Sequence, residues 1–384
     1  MNKKERILDL MRRGVISNEE AIELLENLEN KNKEVNTAGT EDIFSGFDPS
    51  TFFDGADFDK INDEYSSKSE EDKKKIEKEA ADFADTLGEA FKGFVGWGNE
   101  LFDSVKSKVD DNFEWKGGTF KVKTTKKSES RTIDKDIRAI NIASQTGDVE
   151  IVKSSDDKVK IDFDFEVFGV DDPEKFIEEN VTVTDDAGIL DINISSKRIS
   201  ADMVISLPAK RYDSLTVNTI NGEVTISSSI IDYVRVSTIN GDLDTDDLSS
   251  SIAELTTKNG DLKVTDGNFT DLKASTINGD IRINADFETS DISSVNGAIR
   301  MTPTLKAKKV TAKNVNGDIK MSVPSKAGIT GLAKTSFGNY KTRLELDNPV
   351  DIGKSGVALV RKGDDVITFD IESKMGSIWL KDAE

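Results

Sequence analysis

The chain of 384 residues contains no cysteine and no histidine. These absences exclude disulfide bonds, thiolate and imidazole metal sites, and any Ser-His-Asp or Cys-His catalytic arrangement built from this chain alone. Only 6 prolines occur, so proline-rich linkers are not expected. No run approaches the roughly 18 apolar residues of a membrane-spanning helix, and the N-terminus lacks the apolar stretch of a signal peptide.

The formal net charge is −21, and it is unevenly distributed. Residues 1–115 hold 16 Lys and Arg against 29 Asp and Glu, whereas residues 116–384 hold 36 against 44. The first part also contains 10 of the 19 phenylalanines. An acidic chain disfavours nucleic acid and anionic membranes as partners and permits a cationic one. The change in composition, with Gly117-Gly118, predicts a domain boundary near residue 117.

Three segments are expected before that boundary. Residues 1–30 carry helical apolar spacing on both sides of Gly14, and Ser17 to Glu20 matches a capping box, so this segment predicts a helical hairpin. Such a hairpin either docks or self-associates, or it covers the chain's own core. Residues 31–65 mix nine acids with isolated aromatics and predict an acidic aromatic linker.

Residues 66–115 predict an amphipathic helical segment, because apolar residues recur every three or four positions. Its apolar face either binds an amphipathic peptide, or weakly a membrane surface, or packs on residues 1–30. The candidate apolar contacts are Phe83, Phe91, Phe94, Trp97 and Leu101. The candidate acidic contacts for a basic ligand are Glu70, Glu71, Asp72, Asp82 and Asp85.

The remaining chain, residues 119–384, predicts a β-solenoid whose regular coils occupy residues 212–321. An Asn-Gly pair recurs there at intervals of 19, 19, 19, 18 and 20 residues without a helical pattern between the pairs. Fainter coils surround Gly147, Gly338 and Gly376. The repeated asparagines, expected to bond from coil to coil at one corner, are Asn221, Asn240, Asn259, Asn278, Asn296 and Asn316.

Alternation on both sides of each Asn-Gly predicts strands with one buried face. Apolar residues occupy the second and fourth positions after the glycine, as at Val224 and Ile226, and polar residues lie between them. Before the regular coils, strands are expected at Val159–Val167 and Val181–Ile194, separated by an insertion at residues 169–180. The fold class is therefore α plus all-β, with N-terminal helices followed by a solenoid.

An acidic column follows the glycines and suggests two chemical alternatives. Stacked carboxylates either serve a carbohydrate-active enzyme or attract a cation such as Ca²⁺. The regularity of the column and the Lys and Arg column beside it favour a structural face instead, so no enzyme, cofactor or metal is expected. The acidic column comprises Glu223, Asp242, Asp261, Asp280 and Asp318, interrupted by Ala298.

The Asn-Gly-Asp/Glu coils, the run VISLPAKRYDSLTVNTINGEV (204–224) and the opening KKERILDLMRRGVISNEEAIELLENL (3–28) resemble bacterial β-strand-repeat proteins often labelled adhesins. Helices followed by a solenoid resemble the LiaX-type envelope-stress proteins of Gram-positive bacteria. This resemblance implies a non-enzymatic protein of the cell surface that senses cationic antimicrobial peptides through its helical region. The alternatives are an adhesin or structural solenoid that binds a protein or cell-wall glycan, and, second, the carbohydrate-active enzyme. Without a signal peptide, the cytoplasm is the alternative location.

Overall fold

The computed structural model describes residues 124–347, 350–351 and 356–383. The hairpin, linker and amphipathic segment expected in residues 1–115 lie outside the described residues. The described part contains one helix, α1 (Pro173–Asn180), among many strands. The strands are β1 (Thr124–Ile133), β2 (Ala139–Thr146), β3 (Val149–Lys153), β4 (Val159–Phe168), β5 (Val181–Asp186), β6 (Ile189–Ile194), β7 (Ile199–Leu207), β8 (Arg211–Asn221), β9 (Val224–Asn240), β10 (Leu243–Asn259), β11 (Leu262–Asn278), β12 (Ile281–Asn296), β13 (Ile299–Met301), β14 (Lys309–Asn316), β15 (Ile319–Pro324), β16 (Gly328–Thr335), β17 (Tyr340–Arg343), β18 (Val350–Asp351), β19 (Gly356–Arg361), β20 (Val366–Ser373) and β21 (Ile378–Ala383).

The central strands stack as parallel coils, which confirms the predicted solenoid. Strand β9 pairs with β10, β10 with β11 and β11 with β12, each with corner asparagine opposite corner asparagine. Side chains at the second and fourth positions after each glycine point inward and are buried, as in Leu262 and Val264. Because these columns are apolar in every regular coil except at the buried Thr245, stacking buries one continuous core.

Strands β9, β10 and β11 each bend at their fifth residue. Ser228, Asp247 and Asp266 occupy this bend with positive φ values of 47°, 55° and 39°. Asp and Ser tolerate the left-handed conformation at a single position because their side chains are short and polar. The bend lets one coil close around the core while its hydrogen bonds to neighbouring coils continue on both sides.

At the N-terminal end, the coil formed by β2 and β3 lies one position inside the stack. Strand β2 pairs in parallel with β6 on one side and β8 on the other, and β3 pairs likewise with β7 and β9. Antiparallel strands then cover the end, since β5 pairs with β6, and β4 pairs with β7 and β1. The described N-terminal segment is therefore held between two coils that follow it in sequence.

The C-terminal end repeats this arrangement. Strands β20 and β21 lie between the coil of β14 and β15 and the coil of β16 and β17. Gly376 therefore stacks on Gly317, and Gly338 stacks on Gly376, the reverse of their order in the chain. The sequence marks both as late coils but carries no signal for their spatial order. Strand β19, antiparallel to β16, covers this end together with β18.

The segment between β4 and β7 differs from the expectation of a single strand over Val181–Ile194. Ala187 and Gly188 adopt positive φ values of 51° and 80°, which divide the segment into the antiparallel hairpin β5–β6. Within the predicted insertion, Asp172 accepts a hydrogen bond from the backbone N–H of Lys175 and Pro173 starts helix α1. The side chain of Ile177 is buried and packs the helix against the core.

Candidate functional site

The repeated glycine is required by the close approach of one coil to the next. A Cβ built on Gly260 would lie 2.1 Å from the carbonyl oxygen of Gly241, and one on Gly279 would lie 1.9 Å from that of Gly260. No side chain fits at these distances. The glycines therefore stack backbone on backbone, in the spatial order Gly147, Gly222, Gly241, Gly260, Gly279, Gly297, Gly317, Gly376 and Gly338.

The six asparagines selected from the sequence form one hydrogen-bonded column. Asn221 begins the column, and its Nδ2 donates to the backbone carbonyl of Gln145. The Nδ2 of each later asparagine donates to Oδ1 of the asparagine one coil earlier, at 2.8 Å between Asn240 and Asn221 and at 3.4 Å between Asn316 and Asn296. The intervening pairs also lie at 2.8 Å. Each amide thus uses one donor and one acceptor to tie adjacent coils at the corner.

A buried hydroxyl column beside the asparagines was missed by the sequence analysis. The Oγ1 of Thr257 donates to the carbonyl oxygen of Gly241 at 2.9 Å, and Thr276 donates to that of Gly260 at 3.1 Å. Ser294 and Asn314 make the equivalent bond in later coils. The signal was the Thr that lies two residues before the first four Asn-Gly pairs, replaced by Ser294 and Asn314 before the last two. Periodicity alone classifies this position as a polar residue beside a turn.

The acidic column is engaged by the backbone. Oδ1 of Asp242 accepts the N–H of Asp261 at 2.7 Å, Oδ1 of Asp261 accepts that of Asp280 at 2.8 Å, and Oδ1 of Asp280 accepts that of Ala298 at 2.7 Å. Desolvation raises the pKa of Asp280, but the Ala298 N–H and the Arg300 guanidinium outweigh it, and the resulting pKa is lowered.

Glu223 departs from this pattern. Burial and the neighbouring charges of Asp148, Asp242 and Asp244 raise the pKa of its carboxyl. Within the part of the chain that the structure describes, no group of three or more acidic side chains is arranged to hold a metal ion. The aspartates of the acidic column accept hydrogen bonds from the backbone of the next coil, which supports a structural role for the column.

A groove of about 740 Å³ opens on the middle part of the coils. Strands β8 to β12 contribute its lining, together with the connection between β13 and β14 and the connection between β19 and β20. No residue of the corner columns lines it. The buried rings of Phe269 and Phe287 form its floor, and the hydroxyls of Ser249, Ser250 and Ser251 lie along it.

Irregular coil lengths border this groove. The 18-residue step between Asn278 and Asn296 contributes Phe287 and Glu288, and the 20-residue step between Asn296 and Asn316 contributes residues 305–308. The pairing of β11 with β12 shifts register between Thr265 and Asn268. A break in the 19-residue period therefore accompanies the concave surface.

Three large aliphatic side chains are exposed in the groove. Ile230 is 52% exposed, Leu305 44% and Val366 49%. Charged lining residues pair with each other: Arg211 Nε lies 2.6 Å from Asp232 Oδ1, and Lys308 Nζ lies 2.6 Å from Glu288 Oε2. Asp364 and Asp365 also line the groove, so it combines exposed apolar surface with paired charges and two further carboxylates.

The sensing residues expected in the N-terminal segments, among them Phe83 and Trp97, lie outside the described residues. Among the described residues, no helix has the length and apolar character needed to cross a membrane.

Solved structures with low sequence identity resemble this fold. A candidate adhesin of Bacteroides fragilis is 16% identical and has a TM-score of 0.41; the similarity covers 67% of this chain and 97% of that chain. A candidate cell adhesion protein of Clostridium sporogenes is 14% identical with a TM-score of 0.25, covering 67% and 100%. A candidate lipid-binding protein of Parabacteroides distasonis is 11% identical with a TM-score of 0.32, covering 67% and 97%.

A family comparison accounts for most of the described chain. Residues 137–378 match the sequence model of the Toastrack DUF4097 family, a range that runs from the first inserted coil to the last. The predicted β-strand-repeat family is thereby confirmed, while the closer resemblance to LiaX-type proteins stays a prediction. The chain belongs to the Toastrack DUF4097 family.

Proposed function

We propose that this chain is a non-enzymatic, adhesin-type interaction scaffold of the cell surface that holds a segment of a partner protein in its groove. The observation that carries the proposal is the groove with its three exposed aliphatic side chains on an otherwise regular solenoid. Contiguous exposed apolar surface of this kind is typical of interaction sites.

The chemistry of the groove favours a polypeptide over a glycan. Its aromatic side chains, Phe269 and Phe287, are buried, so no exposed ring is offered for a sugar to stack on. Ile230, Leu305 and Val366 instead offer exposed contacts to apolar side chains, and the hydroxyls of Ser249 and Ser251 can bond a peptide backbone. Because five of the seven charged lining residues are in ion pairs, the favoured segment is apolar to amphipathic rather than strongly charged.

The acidic column supports the non-enzymatic reading. A general acid or nucleophile needs a carboxylate that is free to meet substrate, whereas Asp261 and Asp280 accept backbone hydrogen bonds from the next coil. The carbohydrate-active alternative predicts turnover that is lost on Asp261→Asn or Asp280→Asn. Repetition of one bond in successive coils is better explained by stacking.

A peptide-display selection against the full chain tests the proposal. Peptides recovered by the selection are titrated against Leu305→Asp, which places a charge among the exposed aliphatic residues. We expect affinity to fall by about tenfold or more, since apolar contacts at the centre of an interface dominate binding. The matched control is Val360→Asp, because Val360 is similarly exposed at 41% and does not line the groove.

Equal loss of affinity in both variants, or no loss in either, contradicts the proposal. If neutral glycans bind to the groove in a separate titration and no peptide does, the partner is a glycan and the proposed protein partner is wrong. Circular dichroism of each variant shows whether the solenoid remains folded.

Sensing of cationic amphipathic peptides by residues 66–115 is a second candidate function. The acidic and aromatic composition of that segment supports it. We expect the full chain to bind such a peptide more weakly as salt rises, and Trp97→Ala to weaken binding without lowering the melting temperature of the solenoid. Melting of the whole chain on this substitution would favour structural packing of the segment.

A further inference from the structure

The outer side of the strands that follow the corner carries a column of basic residues. In the register of neighbouring strands, Lys263 lies opposite Arg282, Arg282 opposite Arg300 and Arg300 opposite Lys320. Trp379 and Lys341 continue this column through β21 and β17, with Lys381 and Arg343 one position outward. These eight residues, Lys263, Arg282, Arg300, Lys320, Lys341, Arg343, Trp379 and Lys381, are called the basic face.

The basic face occupies only one half of the solenoid. In the earlier coils the same column holds Glu150, Thr225 and Asp244. Positive side chains then follow one another at the coil repeat of about 4.8 Å. The column thus changes sign along the solenoid axis, although the chain as a whole is strongly acidic.

Part of this positive charge has no carboxylate partner. Lys263 pairs with Asp244 at 2.9 Å and Arg300 with Asp280 at 2.6 Å. Across the described residues, Arg282, Lys341, Arg343 and Lys381 form no ion pair with a carboxylate. These four cations are exposed, which leaves them available to an anionic ligand.

The adjacent corner column loses its acids toward the same end. It is acidic at Asp242, Asp261 and Asp280, but the later coils place Ala298, Asp318, Ser377 and Asn339 there. Asp318 lies 3.4 Å from Lys320, and its other oxygen accepts the N–H of Ser377. The basic face therefore becomes more positive toward β21 and β17, until the exposed Glu345 follows Arg343 by two residues.

Trp379 provides an exposed aromatic surface within these cations. It is 41% exposed, and the Lys341 ammonium lies 4.5 Å from the centre of its ring. An indole at the surface of a solenoid contributes little to the core. An aromatic ring flanked by cations suits a sugar ring that carries an acidic group, since the sugar stacks while the acid bonds to Lys or Arg.

We propose that the basic face binds a linear acidic polysaccharide, aligned across successive coils, with Trp379 stacking one sugar and Arg282, Lys341, Arg343 and Lys381 bonding its acidic groups. The regular spacing of the cations suits a polymer with charges at regular intervals. This site is separate from the groove and does not depend on the function proposed for it.

Titration of the full chain with polygalacturonate tests this site, with neutral dextran as the uncharged probe. We expect saturable binding of polygalacturonate that weakens as salt rises, and no binding of dextran. The triple variant Lys341→Gln/Arg343→Gln/Lys381→Gln is expected to bind about tenfold or more weakly, because it removes three unpaired cations. Trp379→Ser is expected to weaken binding while leaving its salt dependence unchanged.

The matched control is Lys309→Gln/Lys326→Gln/Lys362→Gln. It removes the same number of charges from exposed lysines that lie outside the basic face. We expect this control to bind within about twofold of the unchanged chain, because screening limits the effect of distant charges. Leu305→Asp, in the groove, is expected to bind polygalacturonate normally, which separates this site from the peptide site.

Four outcomes would overturn the proposal. These are no binding of polygalacturonate, equal binding of dextran, equal losses in the two triple variants, and equal binding of inorganic polyphosphate with no effect of Trp379→Ser. The last result would show a general anion surface instead of a glycan site. Unchanged melting temperatures across the variants show that the solenoid remains folded.

Discussion

At the scale of single residues, the corners at Asn240, Asn259 and Asn278 each combine four residue types with separate roles. Glycine allows backbone to stack on backbone, asparagine bonds to asparagine, threonine bonds to the glycine carbonyl, and aspartate accepts the next backbone N–H. A buried polar group costs free energy when it lacks a partner, so these bonds allow polar residues to lie beside the core. The motif therefore has a structural role, because its residues hold adjacent coils together.

Two buried threonines of one column provide a matched pair of substitutions. Thr257 Oγ1 donates to the Gly241 carbonyl, whereas Thr219 Oγ1 is buried without a hydrogen-bond partner. We expect Thr257→Val to lower the free energy of unfolding by about 1–2 kcal/mol, because it removes a donor from a buried carbonyl. Thr219→Val should be neutral or stabilising. Chemical denaturation measures both, and equal losses would contradict the role given to the hydroxyl.

The raised pKa of Glu223 predicts that Glu223→Gln increases the stability of the folded protein by an amount that depends on pH. An acid whose folded pKa exceeds its unfolded value destabilises the folded state while it is ionised. At neutral pH the substitution should therefore raise the melting temperature. The gain should shrink as the pH falls through the raised pKa and vanish below the ordinary value of 4.5. Melting curves across this pH range measure it.

Asp280→Asn is expected to change the melting temperature in the opposite direction to Glu223→Gln. The pKa of Asp280 is lowered, so its ionised form stabilises the fold above its ordinary pKa of 3.8, and this contribution is lost as the pH falls through the folded pKa. We expect the substitution to lower the melting temperature at neutral pH and to have less effect in acid. A gain at neutral pH would contradict this assignment.

At the scale of elements, both ends of the described solenoid hold an inserted coil. The β2–β3 coil and the β20–β21 coil each make parallel hydrogen bonds on two sides. Arg361, largely buried, donates to the carbonyls of Ala327 and Pro324 and pairs with Asp382 of β21. An inserted coil is hydrogen-bonded on both sides, so it resists fraying and covers the edge of the neighbouring coil. A terminal strand that is bonded on one side only leaves its other edge open.

Removal of residues 366–384 tests the inserted C-terminal coil. Among the described strands, β17 pairs only with β21, so its amides should lose their protection against hydrogen exchange, and those of β16 should lose part of theirs. The amides of β10 and β11 serve as the internal control, because they pair only within the central stack. Retained protection in β17 would show that the inserted coil is not required there.

At the scale of the whole molecule, the solenoid is a one-dimensional stack in which each central coil contacts mainly its neighbours. Stability is then approximately a sum over coils and the interfaces between them. The interruptions of this regularity coincide with the candidate surfaces, since irregular coils border the groove and a change of column sign begins the basic face. Regularity provides the support, and departures from it distinguish one surface from another.

Deletion of one complete coil, residues 241–259, should leave a folded protein. It joins Asn240 to Gly260, restores the corner motif, and brings β11 onto β9 with the apolar columns aligned. Deletion of residues 241–250 removes about half a coil and should abolish cooperative folding, because buried and exposed positions no longer correspond. Circular dichroism and thermal melting distinguish the two. Equal damage by both deletions would contradict a modular stack.

Much of this fold follows from the sequence. The Asn-Gly interval predicts the solenoid, and alternation identifies buried residues such as Leu262 and Val264, because these signals depend on neighbouring positions in the chain. The division of Val181–Ile194 into a hairpin and the reversed order of Gly338 and Gly376 do not follow from it. Both depend on which strands meet in space, and several pairings satisfy the same local pattern.

The candidate surfaces divide in the same way. The sequence by itself determined the asparagine column of the corner, since the Asn-Gly pair repeats in each regular coil and must fill equivalent environments. Only the tertiary structure decided that Ile230, Leu305 and Val366 line one groove and that Trp379 joins the column of Arg282 and Lys320. These residues come from coils far apart in the chain, and stacking, including the inserted C-terminal coil, brings them together.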